Sequence, residues 1–267
     1  MRSFSGFTKQ HSLALFLLLT LISCGSTPDA PVKNIPVEEM YADAKKKLIE
    51  KNYESAIKLF ESLQSRYPYG RYAQQSQLEI AYAYYKQSEP ESAIAAAERF
   101  IKQYPNNPHV DYAYYVKGLA NFDADIGLFG RASGQDPTER DPRAAQDSFA
   151  AFKDLVIRFP ASKYAPDSRL RMQYLLNALA KYEINVARYY LRRGAQVAAV
   201  NRAKQVLTLY PNSPATHDAL LILVQGYDTL GLQQLRDDAQ RVLDKNAAQF
   251  ASSEKDYREK SWWKFWK

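Results

Sequence analysis

The segments YESAIKLFESLQSRYP (53–68) and PESAIAAAERFIKQYP (90–105) share the tetrapeptide Glu-Ser-Ala-Ile, at 54–57 and again 37 residues later at 91–94. Helical periodicity runs through both, and each closes on an aromatic residue followed by proline. Proline lacks an amide hydrogen and restricts the residue before it, so Tyr67-Pro68 and Tyr104-Pro105 mark helix ends. AAQDSFAAFKDLVIRFP (144–160) and AQVAAVNRAKQVLTLYP (195–211) finish in the same way. The four prolines, at 68, 105, 160 and 211, are spaced by 37, 55 and 51 residues. The first spacing is close to a helix-turn-helix unit of about 34 residues; the others are that unit with insertions of about 14 to 18. Repetition at this length, with no strand signal, specifies an all-α fold of solenoid type.

The internal grammar is that of a tetratricopeptide repeat (TPR). Ala93 lies twelve residues before Pro105, where two helices cross; Ala56 holds the same place before Pro68, and Phe60 fills the bulky slot four residues on. Small residues let the backbones approach and aromatics fill the space toward the next helix. Tyr84 falls where the first helix wants an aromatic, but the Trp-Leu-Gly signature of that helix is weak, so a generic helical-hairpin array is the alternative. About five TPR-like helix pairs are predicted. First helices are expected at roughly 38–50, 72–87, 110–121, 164–181 and 214–230, second helices at 53–66, 90–103, 143–158, 195–209 and 232–246. Two stretches interrupt the array. Residues 122–142 hold three glycines and two Asp-Pro steps, a loop long enough to suggest function. It ends in Asp141-Pro142, read as an N-cap with proline at the first helical position. Residues 182–193 (YEINVARYYLRR) read as an extra helical turn or an extension of the preceding helix before Gly194.

Ahead of the array lies an address. Arg2 and Lys9 precede a ten-residue apolar run, LALFLLLTLI at 13–22. As a helix it covers about 15 Å, half of a bilayer core, so it is a signal-peptide segment rather than a span. Leu21-Ile22-Ser23-Cys24 resembles the bacterial lipobox, and Cys24 is the single cysteine of the chain. The lipobox implies cleavage after residue 23 and an N-acyl and S-diacylglycerol lipid on Cys24, three chains in all; a plain secretory signal with a stray cysteine is the alternative. One chain gives only marginal membrane binding, and three should hold the protein in place. No aspartate follows Cys24, which favours the outer membrane. Residues 25–36 (GSTPDAPVKNIP) read as a flexible tether, so the expected division is signal 1–23, tether 24–36, repeats 37–160, repeats 161–250 and tail 251–267.

Composition narrows the function. The chain of 267 residues is 46% apolar, enough to bury a core, with a net charge of +7 that falls to +5 once Arg2 and Lys9 are removed. That charge is modest and no basic-aromatic stripe appears, so no nucleic acid is expected as a partner. The lone cysteine excludes a disulfide framework, and His11, His109 and His217 lie far apart, so no cofactor or metal is expected. There is no GxGxxG, P-loop or HExxH, and Asp237-Asp238 sits in a polar helical stretch; no catalytic set is expected.

The tyrosines carry more. Ten of the twenty lie between Tyr67 and Tyr115, and 67–86 interleaves them with Arg71, Gln74, Gln75 and Gln77. Tyr82, Tyr84 and Tyr85 cannot all face one way on a helix of 3.6 residues per turn, so at least one points to the groove or to solvent. Tyr69, Arg71, Tyr72, Gln75 and Tyr84 are the candidate peptide-binding residues, offering rigid apolar area with polar tips and, at Arg71, a donor for a terminal carboxylate. All three tryptophans fall in the last six residues of SWWKFWK (261–267), which cannot belong to the repeat core. Docking to a partner, packing back on the last repeat and insertion at a lipid headgroup layer all stay open for this tail.

These stretches together resemble the BamD family (also called ComL or YfiO), lipoproteins of the outer-membrane β-barrel assembly machinery. The resemblance rests on the lipobox, on RYPYGRYAQQSQLEIAYAYYK (66–86), HVDYAYYVKGL (109–119), Arg140-Asp141-Pro142 and KYEINVARYYLRRGAQVAAVNRAKQVL (181–207), and covers about 37–246. It implies a periplasmic scaffold at the inner leaflet of the outer membrane. It implies N-terminal repeats that recognise unfolded β-barrel precursors, C-terminal repeats that dock the periplasmic POTRA region of BamA, and a BamC-like lipoprotein bound along the scaffold. The family's BamA-contacting arginine lies in a Val-Asn-Arg step, matched here by Val200-Asn201-Arg202, so Asn201 and Arg202 are the implied partner-binding residues. The WWKFWK ending has no counterpart in that pattern. A different TPR lipoprotein scaffold, serving peptidoglycan or division machinery, is the rival class; its usual N-terminal coiled coil is absent here.

Overall fold

Among the described residues five antiparallel helix pairs follow one another, each helix packed chiefly on its predecessor and successor. The computed structural model describes residues 35–126 and 141–250. Cys24, most of the tether, the middle of the 122–142 insertion and the Trp-rich tail lie outside the described residues. The pairs are α1 (Val37–Ile49) with α2 (Tyr53–Arg66), α3 (Arg71–Lys86) with α4 (Pro90–Gln103), α5 (Val110–Ile126) with α6 (Arg143–Arg158), α7 (Ala165–Arg192) with α8 (Gln196–Leu209), and α9 (Ala215–Thr229) with α10 (Gln233–Lys245). A further helical turn begins at 247–250. No strand occurs among the described residues. The described repeats, residues 37–126 and 141–250, pack as one compact unit. The fold is the all-α solenoid that the aromatic-proline spacing predicts.

The repeat register has a local chemical cause. The aromatic before each proline is the C-cap of a second helix: Tyr67, Tyr104, Phe159 and Tyr210 each donate a backbone hydrogen bond to the carbonyl four residues earlier, at 2.8 to 2.9 Å. The accepting residues are Leu63, Phe100, Leu155 and Val206, all fully buried. Three residues before each of these sit Phe60, Ala97, Phe152 and Ala203, and seven before sit Ala56, Ala93, Ser148 and Ala199, again fully buried. One stripe per second helix therefore builds the core, at the three- and four-residue spacing of a helix face. Within four of the pairs one residue turns left-handed to reverse the chain: Lys51, Ser88, Gly194 and Gly231, with φ between 60° and 72°. The tightest crossing is at Gly118 on α5. A Cβ there would stand 2.4 Å from the buried Phe152 ring, and the Gly118 carbonyl accepts from Ser148 Oγ at 2.9 Å.

One detail settles an alternative that the sequence left open, and one departs from the sequence reading. α7 runs unbroken for 28 residues, so 182–192 is its extension rather than a separate turn. At the start of α6, Pro142 is the cap residue and not the first helical one; the Asp141 carboxylate accepts from the Arg143 amide at 3.0 Å from one position further out. The proline ring fixes φ at −77° while the aspartate still satisfies an end amide.

Candidate functional site

On α3, Tyr72, Gln75, Glu79 and Tyr82 recur every three or four residues and so share one face. Tyr72 packs 5.3 Å, ring to ring, from Tyr41 on α1, and Tyr41 in turn lies 5.6 Å from the buried Phe60 ring. The Tyr41 hydroxyl donates to Glu79 Oε1 at 3.2 Å, and Lys45 pairs with the same oxygen. Further along, Tyr82 lies 6.5 Å from both Tyr85 and Tyr112 of α5. Tyr112 meets Tyr164, the cap of α7, at 5.3 Å, and Tyr115 stacks on Tyr164 at 4.7 Å and 18°. The two groups of rings, with Gln75 and Glu79 between them on α3, thus cover the first helices of three successive pairs and reach the start of the fourth.

Its charged members are already engaged. Asp167 Oδ2 accepts from the Tyr115 hydroxyl at 2.8 Å and from Arg171 Nε at 2.6 Å, and the Arg171 guanidinium lies 4.7 Å from the centre of the Phe122 ring. Burial pushes the Tyr41, Tyr85 and Tyr112 phenols well above their ordinary value, helped by Glu79 at Tyr41 and Tyr112 and by Asp123 at Tyr85. The same desolvation, with Asp167, raises Tyr115 to about 12. Tyr41, Tyr85, Tyr112 and Tyr115 therefore stay neutral and able to donate at neutral pH. The result is a strip of rigid aromatic area with hydroxyl tips and compensated charges, suited to an extended peptide.

Of the predicted peptide-binding residues, four gather at one end of this strip. Tyr69 is 90% exposed in the turn before α3. Arg71 lies over the Tyr72 ring at 4.7 Å and its Nη2 donates to the Tyr72 hydroxyl at 3.0 Å. Arg71 has no carboxylate partner among the described residues. Gln75, exposed, hydrogen-bonds the Tyr41 side chain one helix away. Tyr84 does not join them. Two residues beyond Tyr82 is about 200° around the helix, and Tyr84 lines a separate hollow of about 370 Å³ with Glu54, Ile57, Lys58, Glu61, Gln87 and Glu89. Sequence reasoning missed Tyr41, Glu79, Tyr112, Tyr115, Tyr164, Asp167 and Arg171. The available signal was a pair of tyrosines three apart on consecutive first helices, 82/85 and 112/115.

In the last two pairs the predicted partner-binding residues lie among surface charge pairs. Arg202 Nη1 on α8 donates to Glu183 Oε2 at 3.0 Å, and Glu183 stands on the extension of α7. This hydrogen bond holds the Arg202 guanidinium more firmly protonated, and Glu183 adds to the burial that raises the Tyr210 phenol. Arg202 keeps 37% of its side chain open to solvent, so one edge of the fork is held and the rest is presented outward. Asn201 lies beside it in sequence but 100° around the helix, lining a shallow hollow with Gly194, Ala195, Gln196, Val197, Ala198 and Leu230. Arg188 pairs with Asp218 at 2.9 Å, tying the α7 extension to α9. Among the described residues no cluster of His, Cys, Asp and Glu could hold a metal, and no helix is long and apolar enough to cross a membrane.

Residues 33–242 match the family described as YfiO, outer membrane lipoprotein. The chain is 41% identical over 265 residues to the outer membrane protein assembly factor BamD of Neisseria meningitidis, covering 97% of this chain and 99% of the relative. It is 38% identical to the protein of the same name from Xylella fastidiosa over 90% of this chain and 84% of the relative, and 35% identical to that of Vibrio cholerae over 89% and 99%.

Proposed function

The chain belongs to the BamD (YfiO) family of outer membrane protein assembly factors, which is not a family of enzymes, and from that premise we propose how its two ends divide the work of assembly. The protein takes part in outer membrane protein assembly. In our reading it is a member of the Bam complex, held at the periplasmic face of the outer membrane by the lipid on Cys24. The first three repeats receive unfolded β-barrel precursors, the last two dock the POTRA region of BamA through Arg202 and Asn201, and a BamC-like lipoprotein lies along the scaffold.

The observation that supports the division is the aromatic face of the first helices, two groups of rings, Tyr41 with Tyr72 and Tyr82 through Tyr112 to Tyr164, joined along α3 by Gln75 and Glu79. Docked helices are ordered before a peptide arrives, so only the peptide loses conformational freedom on binding. Alternating rings and hydroxyls suit a β-prone segment whose side chains alternate in the same way. Arg71 at the strip's end offers a charge-assisted bond to a terminal carboxylate. Arg202, by contrast, offers a half-exposed guanidinium edge that matches a carboxylate on a folded partner.

The test compares variants of the whole mature chain. A labelled peptide ending in an aromatic residue is titrated against Tyr72→Ser/Tyr82→Ser and against Arg202→Glu, and capture of the BamA POTRA region is measured on the same proteins. The tyrosine variant should lose at least tenfold in peptide affinity, about 1.4 kcal/mol, and keep POTRA capture. Arg202→Glu should do the reverse. Parallel losses in both assays from either variant contradict the division.

A further inference from the structure

The second helix of the last pair, counted from its N-cap, departs from α2, α4 and α8. The positions that hold Ala56, Ala93 and Ala199 hold Arg236 in α10, and those that hold Phe60, Ala97 and Ala203 hold Gln240. Both are only partly buried. The apolar residues have moved to the outward shoulder. Leu235 and Val242 occupy places filled elsewhere by Ser55, Ser92 and Ala198 and by Ser62, Arg99 and Gln205. They are 44% and 47% exposed, and Leu232 at the cap is 44% exposed. Leu232, Leu235, Ala239 and Val242 follow helical spacing, so they form one stripe along α10.

Near the N-terminal end of α10 lies the hollow beside Asn201, whose wall includes Leu230, two residues before Leu232. That hollow has a volume of about 510 Å³, is lined by Ala195, Val197, Ala198 and Leu230, and is open to solvent. Val197 is 60% exposed. A run of exposed apolar side chains near an apolar hollow is a surface made for an aromatic segment.

We propose that the occupant is the chain's own C-terminal segment: residues 251–260 run back along α10 and seat tryptophans of 261–267 in the hollow beside Val197 and Leu230. The lengths agree. α10 has 13 residues and so is about 20 Å long. The ten residues 251–260, extended, span up to about 33 Å, enough to return from Phe250 to the cap end of the helix. Phe250, where the described chain ends, is seated against α9, its ring 5.0 Å from His217. The return therefore begins at the C-terminal end of the stripe. A segment tethered this closely sees its seat at an effective concentration in the millimolar range, so modest contacts suffice. The composition agrees as well: Trp262, Trp263, Phe265 and Trp266 supply the aromatic area, while the polar residues of 251–260 need no burial along the way.

The three tryptophans of the chain all lie at 262–266, so tryptophan emission reports on the tail alone. The mature chain carrying Cys24→Ala is compared with the free peptide SWWKFWK, in buffer without lipid. Expected is an emission blue-shifted from the peptide, returning to the peptide value in Val197→Gln/Leu230→Gln and partly in Leu235→Gln/Val242→Gln. All four positions are exposed or at an exposed helix end, and far-UV circular dichroism checks that each variant stays helical. Emission equal to the free peptide in the parent chain overturns the proposal, as does a blue shift that needs phosphatidylethanolamine–phosphatidylglycerol vesicles. A shift unchanged in both variants, or one that depends on protein concentration, also overturns it by placing the tail elsewhere or on a second copy.

Discussion

The first three helix pairs and the last two share a backbone plan and differ in what joins one pair to the next. In the first three, rings from neighbouring first helices meet in two groups, Tyr41 with Tyr72 and Tyr82 with Tyr112 and Tyr164, and the carboxylates of Glu79 and Asp167 serve the tyrosine hydroxyls. In the last two, the joins are mainly aliphatic, such as Ala187, Ala199, Val200 and Ala203, with Tyr190, Tyr210 and Tyr227 packed among them and charge pairs Arg202–Glu183 and Arg188–Asp218 at the surface. A repeat fixes where helices go but leaves the exposed faces free, so one solenoid can carry an aromatic peptide surface at one end and a charged docking surface at the other.

Core anchors should give the largest contrast. Phe100, Val206 and Leu243 occupy the same place in their helices, the first two fully buried and the third partly. Substitution by alanine should cost about 3 to 5 kcal/mol at Phe100, about 2 at Val206 and about 1 at Leu243, read as denaturant midpoints at constant slope. Equal costs would mean that burial at this position does not set local stability.

Gly118 and Gly226 give a finer contrast. A Cβ at Gly118 would meet three atoms of the enclosed Phe152 ring within 2.8 Å, whereas at Gly226 the close neighbour is one methyl of Val200 at 2.5 Å. Gly118→Ala should destabilise by about 1 to 3 kcal/mol through overpacking, and Gly226→Ala by less, since only one atom, a Val200 methyl, stands within 3 Å instead of three ring atoms. A reversed order in thermal melts would show the α5–α6 crossing to be the looser one.

Alkaline titration separates the halves by pH. Tyr115 ionises at 10.0 when unfolded and at about 12 in place, so the protein holds its neutral form more tightly. The stability from such phenols is complete below pH 10 and is lost as pH rises through about 12. Tyr41, Tyr85 and Tyr112 shift in the same direction. Melting between pH 10 and 12 should therefore begin in α1, α3 and α5, as followed by tyrosinate absorbance at 295 nm with hydrogen exchange of each segment. First opening in α8–α10 would contradict the assignment.

The smallest effect belongs to Arg202. Replacing it with Glu breaks a surface pair worth about 0.2 to 1 kcal/mol and sets two carboxylates near each other. A loss much above 1 kcal/mol would make this arginine a structural residue first.

The fold was readable because its punctuation is local. A proline after Tyr67, Tyr104, Phe159 and Tyr210 stops each second helix, and the small residue twelve positions earlier sets the crossing. The site was readable only in part. Tyr69, Arg71, Tyr72 and Gln75 cluster because they are neighbours on one turn and one helix start. Tyr84 was grouped with them by proximity in sequence, although helix geometry turns it away. Tyr41 and Glu79 lie 38 residues apart and Tyr115 and Asp167 lie 52 apart, so only the packing of helices brings them together. The partner of Arg202 was hidden for a different reason: Glu183 reaches it only because α7 continues as one helix through Arg192.

The central claim is that precursor segments lie on the aromatic strip and not on the last two pairs. It is tested most directly by a peptide with a terminal aromatic and a photo-crosslinking residue, irradiated with the whole mature chain and mapped by mass spectrometry. Crosslinks should fall on α1, α3, α5 and the start of α7, at or beside Tyr41, Tyr72, Tyr82 and Tyr112, and be displaced by unlabelled peptide. Crosslinks concentrated on α8–α10, or spread evenly over both ends, would contradict it.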